Sequence, residues 1–220
     1  MSELLNEEVI GQVKEAFQEL KEPVRIIYFE DSDCQFCDQT KQLVTEVAEL
    51  SDQINLEALH LEENGELAEK YAVDKAPGLV ITAQDGDEVV DHGIRYAGIP
   101  SGHEFSSLIS DLLMVSSREH GLNGDTIAFL EDLQEPVHLQ VFVTPTCPYC
   151  PRAVILAHRL AFASDMIQAE MVESSEFQEL VREYEVSGVP DTSINQGAGR
   201  VVGAVPEEEL IAEIKKVISA

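Results

Sequence analysis

The chain has four cysteines, in two Cys-x-x-Cys pairs: Cys34 with Cys37, and Cys147 with Cys150. Two thiols at this spacing either open and close a disulfide within one helical turn or hold a metal ion. The second pair lies in VFVTPTCPYCPRAV, where an apolar strand ends, a short turn follows and Cys147 stands at an expected helix start. The first-turn amides and the helix dipole favour negative charge there, which stabilises a thiolate. Pro148 fits the first helical position, where a missing N–H costs nothing. Cys150, three residues on, shares the helix face. Cys147 is therefore the expected attacker of a substrate disulfide and Cys150 the resolving thiol, with Tyr149 shaping the rim. Arg152 adds a positive charge whose direction is open. The first pair, in YFEDSDCQFCDQTK, assigns the same roles to Cys34 and Cys37. Its flanking carboxylates (Glu30, Asp31, Asp33 and Asp38) disfavour a thiolate, and Gln35 restores the N–H that proline lacks. The two sites are expected to differ in thiol pKa and in reduction potential.

A second pairing belongs to the same chemistry. Ala76-Pro77 and Val189-Pro190 each open a strand, 43 residues after the first cysteine of their own half. A proline there donates nothing to a sheet ladder. A cis bond would leave the preceding backbone free to pair with an extended peptide near the sulfur, and a trans strand-start proline is the plain alternative.

These residues need elements to hold them, and the elements recur. A shift of 113 residues brings Cys34 onto Cys147, Glu22-Pro23-Val24 onto Glu135-Pro136-Val137, Tyr71 onto Tyr184 and Pro77 onto Pro190. The register then slips to 106 at Gly98-Ile99-Pro100 against Ala204-Val205-Pro206, which predicts a longer loop around 84–92 in the first half. In that half, apolar periodicity predicts a helix over 3–21, a strand over 24–30, a helix from about Cys34, a strand over 54–61 and a helix over 65–72. Strands follow at 78–83 and 94–97, then a helix begun by a Ser101/Glu104 capping box. The second half repeats this with a helix near 124–134, a strand at 137–143, a helix from Cys147, a strand at 168–173 and a helix at 175–184. Strands at 191–195 and 200–203 and a helix at 207–218 complete it. The expected fold is α/β: two tandem units, 1–119 and 120–220, each a mixed sheet covered by helices, packed as one rigid body.

Composition narrows the partners. With 42 acidic and 14 basic residues the formal charge is −28. Nucleic acid and anionic membranes both require basic surface, so neither is an expected partner. Such an excess of carboxylates suits concentrated salt; an acidic protein of an ordinary host is the alternative. No apolar run approaches the ~18 residues of a membrane span. The acidic start MSELLNEEVIGQVKE has no basic region ahead of an apolar core, so a cytoplasmic location without a signal peptide is expected.

Strand, Cys-x-x-Cys, helix and an apolar-Pro dipeptide opening a strand together resemble the thioredoxin fold, and CPYC resembles glutaredoxins. CQFC followed in tandem by TPTCPYCP, with YAVDKAPGLVI and GIPSGHEF between, is similar to the protein disulfide oxidoreductases of archaea and thermophilic bacteria. That resemblance covers nearly the whole chain. It implies two packed thioredoxin folds, dithiol–disulfide exchange on protein substrates, and no bound cofactor beyond the redox-active disulfides. It also implies reduction from NADPH through a separate thioredoxin-reductase-like flavoprotein. The principal site then maps onto Cys147 and Cys150, and the cis-prolines onto Pro77 and Pro190, which with Ala76 and Val189 line the substrate grooves. The N-terminal region of the flavoprotein component of alkyl hydroperoxide reductase resembles the same tandem, which implies an alternative function, a dedicated electron relay from a flavoprotein reductase to a peroxiredoxin. Three features depart from the pattern. Asp191 follows Pro190 and would slow attack if it faced Cys147. Tyr28 and Val141 stand where thioredoxins keep a buried aspartate. Glu62 and Glu173 are candidate proton acceptors, with solvated strand-end carboxylates as the plainer reading. Structural zinc is a further rival, yet 109 residues separate the pairs, against ~15–20 in zinc ribbons. An inert docking role for the acidic CQFC unit is another. The six histidines form no ligand-spaced cluster and take no catalytic role.

Overall fold

The computed structural model describes residues 4–86 and 88–219. The first half runs α1 (Glu7–Ala16), β1 (Val24–Glu30), α2 (Cys37–Ala48), β2 (Ile54–His60), α3 (Gly65–Lys70), β3 (Gly78–Asp85), β4 (Glu88–Ala97) and α4 (Phe105–Ser117). The second runs α5 (Gly124–Glu131), β5 (Val137–Val143), α6 (Cys150–Ala163), β6 (Ile167–Glu173), α7 (Gln178–Glu183), β7 (Asp191–Ile194), β8 (Gly199–Val202) and α8 (Glu207–Ile218). The order matches the sequence reading element for element. Of the helix expected from residue 3, the start lies outside the described residues, and α1 begins after Asn6, whose side chain accepts the Val9 N–H.

The two sheets are one. Eight strands lie in the order β2-β1-β3-β4-β6-β5-β7-β8, joined across the halves by parallel pairing of Ile94–Ala97 with Ala169–Val172. Strand alternation then sorts the side chains. Ile26, Tyr28, Leu139 and Val141 face one continuous core that runs under both halves and takes in Leu43 and Val44 of α2, Leu108 and Leu112 of α4, and Val154 and Ala157 of α6. Ile27, Phe29 and Phe142 face the opposite side, where α3 and α7 cover two smaller clusters. Each fully buried aliphatic or aromatic side chain contributes roughly 1.5–3 kcal/mol, so the shared core binds the halves firmly.

Two local expectations are corrected. The predicted long loop at 84–92 is an extension of the β3–β4 hairpin, paired through Asp85 and Glu88, with an irregularity between Ile81 and Thr82. The Ser101/Glu104 capping box does not form. Residues Gly102–Glu104 make a short 3-10 turn without a side-chain cap, and Glu104 turns inward, where its Oε2 accepts the Ser107 hydroxyl at 2.6 Å. The spacing of an acidic residue from a helix start suits a cap, but this carboxylate is buried instead.

Candidate redox site

The sheet's directions place the chemistry. β1 pairs parallel with β2, β4 with β6, and β5 with β6, while β3 runs antiparallel to both β1 and β4. The carboxyl ends of β1 and β5 therefore emerge at the same edge, and both cysteine pairs lie there. Four strand spacings separate β1 from β5, roughly 19 Å at ~4.8 Å each. Each pair is a closed disulfide, with Cα–Cα distances of 5.4 Å for Cys34–Cys37 and 5.5 Å for Cys147–Cys150. Closed on themselves and four strands apart, the pairs do not converge on one metal.

The helices begin one cysteine later than expected. Cys37 and Cys150 are the first helical residues, and Cys34 and Cys147 stand in the turn before them. Pro148 lies in that turn, and Pro151 takes the second helical position instead. The shift strengthens the thiolate argument at the second site, because the Cys150 N–H points at the Cys147 Sγ, 3.1 Å away. In the reduced protein that sulfur stands for the thiolate, and a backbone amide donating to it favours the charged form. Among the described residues no such bond reaches Cys34. The outer cysteine of each pair is the more accessible: Cys34 is half-buried over buried Cys37, and Cys147 retains 7% exposure over a fully buried Cys150. Tyr149 is 63% exposed, on the rim. Arg152 is exposed as well.

The flanking acids of the first site are partly tied. Lys41 Nζ sits 2.9 Å from Glu30 Oε1, and Asp31 accepts the Ser32 N–H. Tyr28, fully buried below, donates its hydroxyl to the Cys37 carbonyl at 2.8 Å, and burial pushes its phenol well upward.

Both Ala76-Pro77 and Val189-Pro190 are cis. Register sets them at the strand ends that lead to the cysteines. Gly78 pairs with Phe29 and Asp191 with Phe142, so Pro77 and Pro190 lie level with Glu30 and Val143, each four residues ahead of its first cysteine. The proline carbonyls accept from Gly98 and Gly203, whereas among the described residues no main-chain bond engages Ala76 or Val189. Lys75, two residues before Pro77, anchors the first of these loops to the other half through Glu170, 2.9 Å away.

Asp191 does not face Cys147. Its strand partner is Phe142, whose ring packs on the side away from α6, and there Asp191 is held by Arg200. Of the two candidate proton acceptors, Glu62 is exposed, in keeping with the plainer reading. Glu173 is not a solvated strand-end carboxylate: it is 3% exposed and its Oε2 accepts the Glu176 N–H. Glu176 is pushed up to about 7 by burial first, with the Glu173 charge adding to the rise.

Sequence reasoning read Glu104 only as a helix cap. The turn that carries it lies on the loop leading to Cys147: the His103 N–H donates to Pro145 O at 2.9 Å, and Gly102, at φ +61°, brings its backbone so close that a Cβ would collide with that oxygen. Glycine is required there on both counts. Glu104 is 1% exposed, and burial pushes its carboxyl up to about 7 against the opposing Ser107 bond. A carboxyl raised above its unfolded value favours the fold fully below about pH 4.5, and that stability is lost as pH rises through about 7. Glu104→Gln keeps an acceptor for Ser107 without the charge. It is expected to raise stability by on the order of 2 kcal/mol at pH 8 and to change little at pH 4.5, read from urea midpoints. Equal shifts at both pH values would refute the assignment.

One continuous sheet, with a closed Cys-x-x-Cys disulfide and a cis-proline in each half at the same end, defines two tandem thioredoxin-like units. Residues 137–216 match the thioredoxin-domain family Thioredoxin_3. The chain superposes on a protein disulfide oxidoreductase from Aeropyrum pernix with a TM-score of 0.87 and 28% identity, covering 96% of this chain and 92% of that one. It superposes equally well, at 0.87 and 28%, on the alkyl hydroperoxide reductase AhpF of Enterococcus faecalis, covering 96% and 99%. Among curated proteins it is 28% identical over 176 residues to the F component of alkyl hydroperoxide reductase from Staphylococcus epidermidis, covering 80% of this chain and 31% of that protein. It is also 28% identical over 172 residues to a Ferdinandcohnia aciditolerans protein named NADH dehydrogenase, covering 78% and 30%. The chain spans about a third of the length of these curated relatives. Among the described residues no helix is long and apolar enough to cross a membrane, and no group of three or more potential ligands could hold a metal.

Proposed function

We propose that the protein exchanges thiols and disulfides with protein substrates, with the Cys147–Cys150 site carrying most of the turnover. The observation that carries this is the Cys150 amide aimed at the Cys147 sulfur, beside a cis-proline loop whose Val189 backbone is free to pair with an extended peptide. The Cys147 thiolate attacks a substrate disulfide, one substrate sulfur leaves as a thiolate, and a mixed disulfide forms. The Cys150 thiolate then attacks Cys147 and releases the second substrate thiolate. The protein ends as the disulfide and the substrate as the dithiol, so two electrons have moved. Cys34 and Cys37 run the same steps beside Pro77 and Ala76. Reduction then falls to a thioredoxin-reductase-like flavoprotein using NADPH, in the cytoplasm. The units divide at 119/120, a reading supported by Arg118 in a left-handed conformation just past α4 and Gly121 at φ +65° ahead of α5.

A second reading is favoured by the equal likeness to the alkyl hydroperoxide reductase AhpF: a relay from a flavoprotein to a peroxiredoxin. Insulin reduction by dithiothreitol tests the first. Precipitation is expected well ahead of the uncatalysed rate, at low and at molar salt, and a rate at background would sink the reading. Turnover confined to a peroxiredoxin, with none on insulin, would decide for the relay.

A further inference from the structure

Between the two disulfides, at the same sheet edge, lies a cleft of about 500 Å³. Phe36 and Gln39 line it beside the first disulfide, and Gly102 and Pro145 beside the turn that leads to the second. Its walls include Leu5, Val9, Leu43 and Phe105, and Glu173 and Glu176 line it as well. These two carboxylates are held in place by backbone: Glu173 Oε2 accepts the Glu176 N–H at 2.8 Å, and Glu176 Oε1 accepts the Ile99 N–H at 2.7 Å. Gly98, at φ +96°, makes room for them, since a Cβ there would stand 2.6 Å from the Glu173 Cβ. Each carboxylate keeps one buried oxygen, Glu173 Oε1 and Glu176 Oε2, without a hydrogen-bond partner. Among the described residues neither forms an ion pair, and no lysine or arginine lines the cleft.

A buried carboxylate oxygen without a partner is costly, and a donor arriving from outside relieves that cost. Apolar walls beside a pair of carboxyl groups suit a long aliphatic stem with a cationic head, since a cation arriving there favours the ionised, acceptor form of both. We propose that this cleft is a specificity pocket for a lysine or arginine side chain of the substrate protein, held between the two disulfides while its neighbouring cysteine reacts. The proposal rests on the protein-substrate reading above. Glu173 is the register partner of Val143 on β5, four residues ahead of Cys147, so the basic residue belongs a few positions from the reacting cysteine, and three is the spacing to test.

The test is the kcat/KM for reduction of peptide disulfides that carry lysine, arginine or norleucine three residues from a cysteine, with uncharged hydroxyethyl disulfide alongside. Lysine and arginine are expected to exceed norleucine about tenfold, the value of one charge-assisted hydrogen bond. That preference should vanish in Glu173→Gln/Glu176→Gln. It should vanish also in Gln39→Lys, which places a tethered ammonium on an exposed position of α2 and leaves the buried residues intact. Turnover of all peptides at equal kcat/KM, or a preference that survives both variants, overturns the pocket alone. No turnover of any disulfide, hydroxyethyl disulfide included, overturns the parent reading with it.

Discussion

Cys147→Ser/Cys150→Ser is expected to lower insulin reduction by at least a hundredfold, to within a few-fold of the dithiothreitol background, whereas Cys34→Ser/Cys37→Ser keeps more than half the rate. The asymmetry follows from geometry rather than exposure, for Cys34 is the more accessible of the two outer sulfurs. Among the described residues only the Cys147 sulfur accepts a backbone amide, and its approach carries no carboxylate between Val143 and Arg152. Cys34 is approached through Glu30, Asp31 and Asp33 and followed by Asp38, of which, among the described residues, Glu30 alone is paired with a lysine. Negative charge near a sulfur raises its pKa and an amide donor lowers it, so at neutral pH the second site holds the larger thiolate fraction. Iodoacetamide alkylation against pH, with the other site replaced by serine in each case, should show Cys147 reacting with a midpoint at least one pH unit below that of Cys34. Equal midpoints with equal insulin rates would mean that the two sites are interchangeable and that the amide at 3.1 Å does not matter.

Much of this was legible in the sequence because it is local. A strand of β-branched residues, a Cys-x-x-Cys turn and a proline at a fixed distance are each written within a few positions. The 113-residue repeat let one half check the other. The cis bonds could be weighed from Pro77 and Pro190 alone. What could not be read was long-range. Nothing in VRIIYFE or EVVDHGIRYA says that β4 will pair with β6 and fuse two sheets into one, since the strand alternation is satisfied either way. Glu104 fits a capping box as well as it fits a buried position, because the same spacing serves both. The cleft combines Phe36, Phe105 and Glu173, drawn from three separate elements, and no spacing rule connects them.

The same limit hid a polar knot where α4 of one half meets α6 of the other. Asp111, fully buried on α4, lies 2.6 Å from Nδ1 of fully buried His158 on α6, and its same oxygen accepts the Tyr96 hydroxyl from β4. The Tyr96 and His158 rings meet edge-on, with centroids 5.0 Å apart. His158 is eight residues beyond Cys150, roughly 12 Å along the helix, so the knot sets the rotation and depth of the helix that presents the second disulfide. Without Asp111 the imidazole and the phenol are left buried and unpaired, and the cost of breaking such a cluster is about 3–5 kcal/mol. Asp111→Ala is therefore expected to lose about that much by urea denaturation at pH 7, and Asp111→Asn, which keeps one acceptor, about half. His158→Ala in the Asp111→Ala background should then cost far less than in the wild type, because its partner is already gone. A loss below ~1 kcal/mol for Asp111→Ala, or strictly additive losses in the pair, would mean that apolar packing alone seats α6 against α4.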